Sequence, residues 1–273
     1  MSVGIRLSPE SDLVLAGTYE RQVAASLPRV WENVFDWQHL PALHAGYFAA
    51  VELLQNGPLG WRIGVVNQPG GPDRAQVLEL QAERAAGRYC VATLQGPGVG
   101  TRIKTRLTVL GRRRTGIEVE FHVPKAPRDR LAATSARYQA SYERLWDEDE
   151  VMMIARQRAC DAKARRRSAT APRTRHLGAI DALRRRLPLV ITFGGERFRI
   201  VDLDGVLVVH GVTCPHWLGP LEATRIVAGC IRCPWHGYSF DVRTGRSAEG
   251  RGLRLAEPPR IFVEGGQVSL TTG

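Results

Sequence analysis

The chain has 273 residues, 44% hydrophobic and 24% charged, with a formal net charge of +11. That length predicts two domains at roughly 100–200 residues each, and that apolar content excludes wholesale disorder. No apolar run approaches the roughly 20 residues of a membrane-spanning helix, and Met1 to Glu10 lack a basic segment followed by a long apolar one, so the expectation is a cytoplasmic protein with no membrane partner.

In chain order, Leu13 to Ala25 reads as a strand. Leu27 to Trp37 reads as a helix, with Ser26 at its N-cap and Pro28 close to its first position. Strands are then predicted over Ala49–Leu54, Gly60–Asn67, Gln76–Glu83, Arg88–Leu94, Thr101–Leu110 and Gly116–Val123. Gly- and Pro-containing turns separate them, as in an antiparallel meander. A long helix is expected over Arg128–Arg167, carrying Leu131, Tyr138, Tyr142, Leu145 and Trp146 at roughly helical spacing.

A small, polar, Pro-containing stretch follows, Ser168 to Thr174. Between Val151 and Pro188, eleven Lys or Arg meet only Asp161 and Asp181, which accounts for +9 of the total charge. Such a stretch suits a solvated helix and linker, an acidic partner, an anionic surface or nucleic acid. No aromatic residue is interleaved with the arginines, which argues against nucleic acid. Beyond it, short strands are predicted over Leu189–Phe193, Arg197–Asp202, Val206–His210, Arg225–Arg232, Tyr238–Asp241 and Ile261–Leu270, with hairpin turns at Gly194-Gly195, Asp204-Gly205 and Gly265-Gly266. The whole is an α+β chain with domains over 1–167 and 189–273, joined by a basic linker over 168–188.

Five cysteines in such a chain point to metal binding or catalysis rather than a disulfide framework. The sharpest pattern is Cys214-Pro215-His216, then Cys233-Pro234-Trp235-His236. Two thiolates and two imidazoles suit zinc, or a two-iron cluster with one iron on sulfur and the other on nitrogen. Zinc sites pair like ligands at Cys-x2–4-Cys or His-x3–5-His. Here each loop contributes one Cys and one His, which suits two irons shared between two loops. Cys230 reads as a small apolar residue on a strand. Cys90 and Cys160 have no ligand type near them in sequence and read as filler.

These residues resemble the Rieske [2Fe-2S] family, with Gly219, Leu221 and Gly237 also fitting its pattern. The resemblance covers about Leu189 to Gly273. It implies that Cys214 and Cys233 hold one iron and His216 and His236 the other. The family's high-potential branch adds a disulfide near the cluster, and a Ser and a Tyr that donate to it. Here Trp235 stands at one cysteine position, and Tyr238 and Phe240 at the donor positions. Fewer donors to sulfur imply a low, ferredoxin-type potential.

The first domain holds Asp36, His39 and His44 in one short segment. On a straight helix, histidines five apart would point about 140° apart. Pro41 lies between them and is expected to break or kink the helix so that they converge. Two imidazoles and a carboxylate form the facial triad of non-haem Fe(II) oxygenases. Asp36-x2-His39-x4-His44 resembles the iron-binding segment of the Rieske non-haem iron, or ring-hydroxylating, oxygenases. That resemblance implies a third ligand on the long helix, Asp149, with Asp147 as the alternative. It also implies that Asp36 bridges His39 and a Rieske histidine of a neighbouring subunit.

The order strand, helix, meander, helix resembles the helix-grip fold of the START and polyketide-cyclase superfamily, which implies an apolar cavity between sheet and helix. Ile63, Val65, Leu78, Leu80, Val91, Leu107 and Val119 would face inward. Domain order is reversed relative to those oxygenases, and the first domain is shorter than theirs. The leading expectation is an oxygenase with a [2Fe-2S] cluster and a mononuclear Fe(II). It would take electrons from a ferredoxin or flavin reductase, act with O2 on an apolar substrate, and assemble as a homo-oligomer, a trimer. The alternative is a non-enzymatic Rieske carrier or redox sensor fused to a hydrophobic-ligand-binding domain.

Overall fold

The computed structural model describes residues 12–166 and 174–272. The N-terminal segment, the last residue of the expected long helix and most of the Ser168–Thr174 stretch lie outside them. Two compact units are present, Met1–Ile154 and Ala155–Gly273.

In the first unit, β1 (Leu13–Val23), β2 (Phe48–Gly57), β3 (Gly60–Asn67), β4 (Ala75–Glu83), β5 (Arg88–Gln95), β6 (Arg102–Gly111) and β7 (Arg114–Pro124) form one antiparallel sheet in the order β1-β7-β6-β5-β4-β3-β2. Consecutive strands from β2 to β7 pair with their neighbours, and β1 closes the far edge on β7. Ile63, Val65, Leu80, Leu107 and Val119 are buried, and Leu78 and Val91 are half-buried. The inward alternation therefore follows the period of two expected of strands.

Helix α1 (Leu27–Phe35) starts at Ser26, whose carbonyl, rather than its side chain, takes the first helical amides. The long helix α3 (Arg128–Arg166) presents Tyr138, Tyr142, Trp146 and Met153 to the sheet. Phe121 lies fully buried, stacked on Tyr138 at 5.1 Å and 14° and edge-on to Tyr142 at 5.1 Å and 71°. Such pairs add about 0.5–1.5 kcal/mol to their burial. Where β1 passes α3, residue 17 must be glycine: a Cβ there would stand 2.0 Å from Ser135 Oγ.

The second unit holds three small sheets, β11-β10-β9, β12-β13-β14 and β15-β16-β8. Their strands are β8 (Thr174–Ala179), β9 (Leu189–Phe193), β10 (Glu196–Leu203), β11 (Val206–Gly211), β12 (Ile226–Val227), β13 (Cys230–Arg232), β14 (Ser239–Asp241), β15 (Arg260–Glu264) and β16 (Gln267–Thr271). Ile191, Phe193, Phe198, Ile200, Val209 and Leu270 form its core.

Two expectations are corrected here. Residues 174–187, read as linker, are folded: β8 pairs along β16, and α4 (Ile180–Arg184) buries Leu183. The single strand over Arg225–Arg232 is instead the hairpin β12–β13. Its turn residues, Ala228 and Gly229, have φ of 48° and 76°, the two positive values that a tight primed turn needs.

Truncating the aromatic layer tests its weight. Phe121→Ala is expected to cost about 3–5 kcal/mol in urea unfolding of the first unit. A loss below about 1 kcal/mol would mean that the layer does not hold helix to sheet.

Candidate metal centres

The two Cys/His loops of the second unit are built alike. In the first, the Cys214 amide donates to the Gly219 carbonyl at 2.8 Å and the Leu218 amide returns to the Cys214 carbonyl at 2.9 Å. In the second, the Cys233 amide donates to the Tyr238 carbonyl at 2.8 Å and the Gly237 amide returns to the Cys233 carbonyl at 2.9 Å. The residue four past each cysteine has positive φ, 63° at Leu218 and 71° at Gly237. This closure turns the next amides inward: those of His216 and Trp217 bond Cys214 sulfur, and those of Trp235 and His236 bond Cys233 sulfur.

The two sulfurs also meet each other. The hydrogen bond from the Cys214 thiol, with help from His236, holds Cys233 down at about 5, while Cys214 is raised. The histidine rings stand 4.5 Å apart at 85°. Gly219 leaves the space between the loops open, since a Cβ there would lie 2.8 Å from Cys233 Sγ and 3.1 Å from Trp235. Two adjacent buried thiols, two adjacent imidazoles and amide donors to sulfur are the donor set of a two-iron, two-sulfide cluster, so the residues fit that group.

The other histidines converge in the first unit, by a route different from the expected kink. Helix α1 ends at Phe35, and Asp36 is its C-cap. A separate one-turn helix, α2 (Leu40–Leu43), has His39 as N-cap and His44 as C-cap. Pro41 sits in the first turn of α2, where its missing N–H costs nothing, so the break lies upstream of it. Bracketing one turn brings the rings to 5.0 Å, at 73°.

Asp149 meets them from α3. Its Oδ1 lies 3.1 Å from His44 Nε2 and 3.5 Å from His39 Nε2. These three side chains are buried and form a group whose ligand atoms all lie within 4.8 Å of one another. Asp147 is elsewhere: with Glu150 it clamps Arg21 of β1, at 2.6 and 2.5 Å.

Both outer ring nitrogens face carboxylates. His39 Nδ1 is 3.3 Å from Asp36 Oδ2, and His44 Nδ1 is 2.6 Å from Glu148 Oε2. Asn33, one turn before Asp36 on α1, donates to Asp149 Oδ1 at 2.8 Å. Burial opposes charge on His44, but its bonds to Asp149 and Glu148, and their negative charge, outweigh it and raise its pKa above 6.5. Glu148 and Asn33 were not singled out from sequence. Glu148 lies in the acidic run Asp147-Glu148-Asp149-Glu150, next to the expected ligand, and Asn33 stands three residues before Asp36. The oxygen of Asp36 that a bridge would use already accepts the Gln38 amide at 3.1 Å, and the side chain is 6% exposed. The contact with His39 is present; a second imidazole would have to share a buried carboxylate.

The cleft found in this unit is not the apolar chamber between sheet and helix that the helix-grip resemblance implies. A cleft of about 1120 Å³ in this unit is lined by outward-facing Arg62, Glu79, Lys104 and Glu118, together with Trp61 and Tyr89. Beside the histidines the lining is apolar, with Phe48 6.4 Å from the His44 ring and Val34, Leu40 and Trp61 in one cluster.

The second unit is thus a small β domain whose two matched loops present two cysteines and two histidines for one iron–sulfur cluster. Residues 175–258 match the family model of the Rieske [2Fe-2S] domain. A 100-residue stretch is 27% identical to the anthranilate 1,2-dioxygenase ferredoxin subunit of Burkholderia cepacia, covering 36% of this chain and 90% of that protein. An 80-residue stretch is 29% identical to apoptosis-inducing factor 3 of Mus musculus, covering 29% of this chain and 13% of that protein. The chain thus matches only about an eighth of the length of that relative. Among solved structures, an aromatase/cyclase from Streptomyces sp. R1128 aligns with a TM-score of 0.44 at 17% identity, covering 53% of this chain and 96% of that one. No described helix is long and apolar enough to cross a membrane.

The space at Gly219 makes a specific prediction. Gly219→Ala inserts a methyl against Cys233 Sγ and Trp235, a strain of about 1–3 kcal/mol at the loops. Cluster absorbance and iron per chain should fall well below wild type, with the first unit's unfolding unchanged. Wild-type cluster content in this variant would contradict the packing described.

Proposed function

We propose that this chain is an iron-dependent oxygenase. Its Rieske domain passes electrons from a ferredoxin or flavin reductase, and His39, His44 and Asp149 hold one ferrous ion beside an apolar, aromatic or polycyclic substrate. The carrying observation is that two buried imidazoles aim Nε2 at one buried carboxylate while each Nδ1 faces a carboxylate of its own. Carboxylate–imidazole pairs fix the ring and its tautomer, and so prepare a metal ligand. When bound, the iron would supply O2 activation.

The protein's own part is positional. Glu148 accepts from His44 Nδ1 at 2.6 Å and Asp36 stands 3.3 Å from His39 Nδ1, so each carboxylate favours the tautomer whose Nε2 lone pair is directed inward. Asn33 holds the Asp149 carboxylate, and Val34, Leu40 and Phe48 keep the surroundings dry. The same reading expects a cyclic homo-oligomer, a trimer in its simplest form.

A second reading is an electron carrier or redox sensor without the mononuclear iron. It is favoured by the similarity to a ferredoxin subunit that spans 90% of that protein. Iron analysis separates the two: about three irons per chain for the oxygenase, about two for the carrier. His39→Ala should remove one iron and abolish product formation while leaving the Rieske EPR signal intact; turnover that survives would sink the oxygenase. Asp36→Ala or Glu148→Ala should weaken Fe(II) binding by about 10–100-fold, read by metal titration. A cluster midpoint above roughly +100 mV would overturn the low-potential expectation from Trp235, Tyr238 and Phe240.

A further inference from the structure

Both histidines of the cluster loops have aromatic neighbours, and each of those aromatics carries an arginine. Trp217 lies 5.4 Å from the His236 ring, and Tyr238 lies 4.6 Å from the His216 ring. Arg156 stacks its guanidinium 4.3 Å from the Trp217 ring centre and donates to the Trp217 carbonyl at 2.9 Å. Arg251 stacks 4.3 Å from the Tyr238 ring centre and donates to the Tyr238 hydroxyl at 3.2 Å. A third arginine, Arg232, donates from Nε to the Gly237 carbonyl at 3.0 Å, directly after His236. Arg232 and Arg251 are exposed, and His216 is half-buried.

Each stack uses the planar face of arginine, which lysine lacks. Each also fixes a positive charge on an aromatic ring that itself packs against a histidine through which an electron would enter or leave. The surrounding unit adds to this field, with twenty Lys and Arg against ten Asp and Glu from residue 155 onward. Fixed like charges around an electron port select a partner of opposite sign and speed its encounter.

We infer that Arg156, Arg232 and Arg251 form a cationic collar around the histidine end of the cluster, and that its occupant is a small acidic redox protein serving as electron donor. The inference rests on the electron-transfer reading of this domain.

The test uses the full chain with its cluster, and a small acidic plant-type [2Fe-2S] ferredoxin as probe, with basic cytochrome c as the probe of opposite sign. Calorimetry at low salt should show the ferredoxin binding, with the affinity lost above roughly 0.3 M salt, and no binding of the cytochrome. Arg251→Glu should weaken ferredoxin binding about tenfold, a change of ~1.4 kcal/mol. Arg251→Lys, which keeps charge and loses the stack, should stay close to wild type. The same reversal at exposed Arg260 on β15 should change little. Equal losses from Arg251→Glu and Arg260→Glu would overturn the collar in favour of net charge alone. A shifted cluster midpoint with unchanged binding would overturn it in favour of a tuning role. Loss of binding in Arg251→Lys would mean that the arginine clamps the loop rather than meets a partner. An absent Rieske EPR signal in the wild-type chain would instead defeat the underlying electron-transfer reading.

Discussion

The rotation of α3 about its own axis is the constraint on which the first unit depends. Trp146, Asp149 and Met153 are spaced three and four apart, so they share one helix face. Trp146 and Met153 are 4% and 2% exposed against the sheet. Burying two such side chains is worth about 1.5–3 kcal/mol each, which is ample to set the rotation. With the rotation set, the acidic run has no freedom. Glu148 and Asp149 fall on the side of the histidines, and Asp147 and Glu150 fall on the side of Arg21. An acidic patch on a solvated helix would spread its charges outward. Here Asp149 is held at 8% exposure between Asn33 and two imidazoles.

The second unit depends on backbone closure rather than on a large core. Its two loops repeat the same pair of backbone bonds and a positive-φ residue four past the cysteine, so the two cysteines emerge in matching positions, with a histidine two residues on in the first loop and three in the second. The bond from the Cys214 thiol, with the amides of Trp235 and His236, favours thiolate at Cys233, while Cys214 stays the protonated partner. The close approach at Gly219 then fixes the distance between loops.

Much of this was legible in the chain. Turn glycines and prolines marked β2 through β7 to within a few residues, because a meander punctuates itself with residues of special φ. The Cys/His spacing marked the two loops whose cysteines and histidines the structure brings together, since few chemistries need that pattern. What escaped has physical reasons. Strand β8, Thr-Arg-His-Leu-Gly-Ala, lacks alternation and sits in a basic stretch, so composition hid a strand stabilised by its partner β16. The break between α1 and α2 was misplaced because Pro41 reads equally as helix breaker and helix starter, and only the C-cap at Asp36 decides. The arginines on Trp217 and Tyr238 lie far from their rings in sequence, 61 and 13 residues away, and no local pattern announces such pairs.

The central claim is that the three buried side chains of the first unit bind a metal of their own, apart from the cluster. Anomalous diffraction at the iron edge, on crystals grown from iron-loaded protein, addresses it directly. The account predicts a discrete single-iron peak within coordination distance, about 2.0–2.2 Å, of His39 Nε2, His44 Nε2 and an Asp149 carboxylate oxygen, in addition to the cluster peak. A map with only the cluster peak, and with Asp149 Oδ1 still bonded to His44 Nε2, would contradict it.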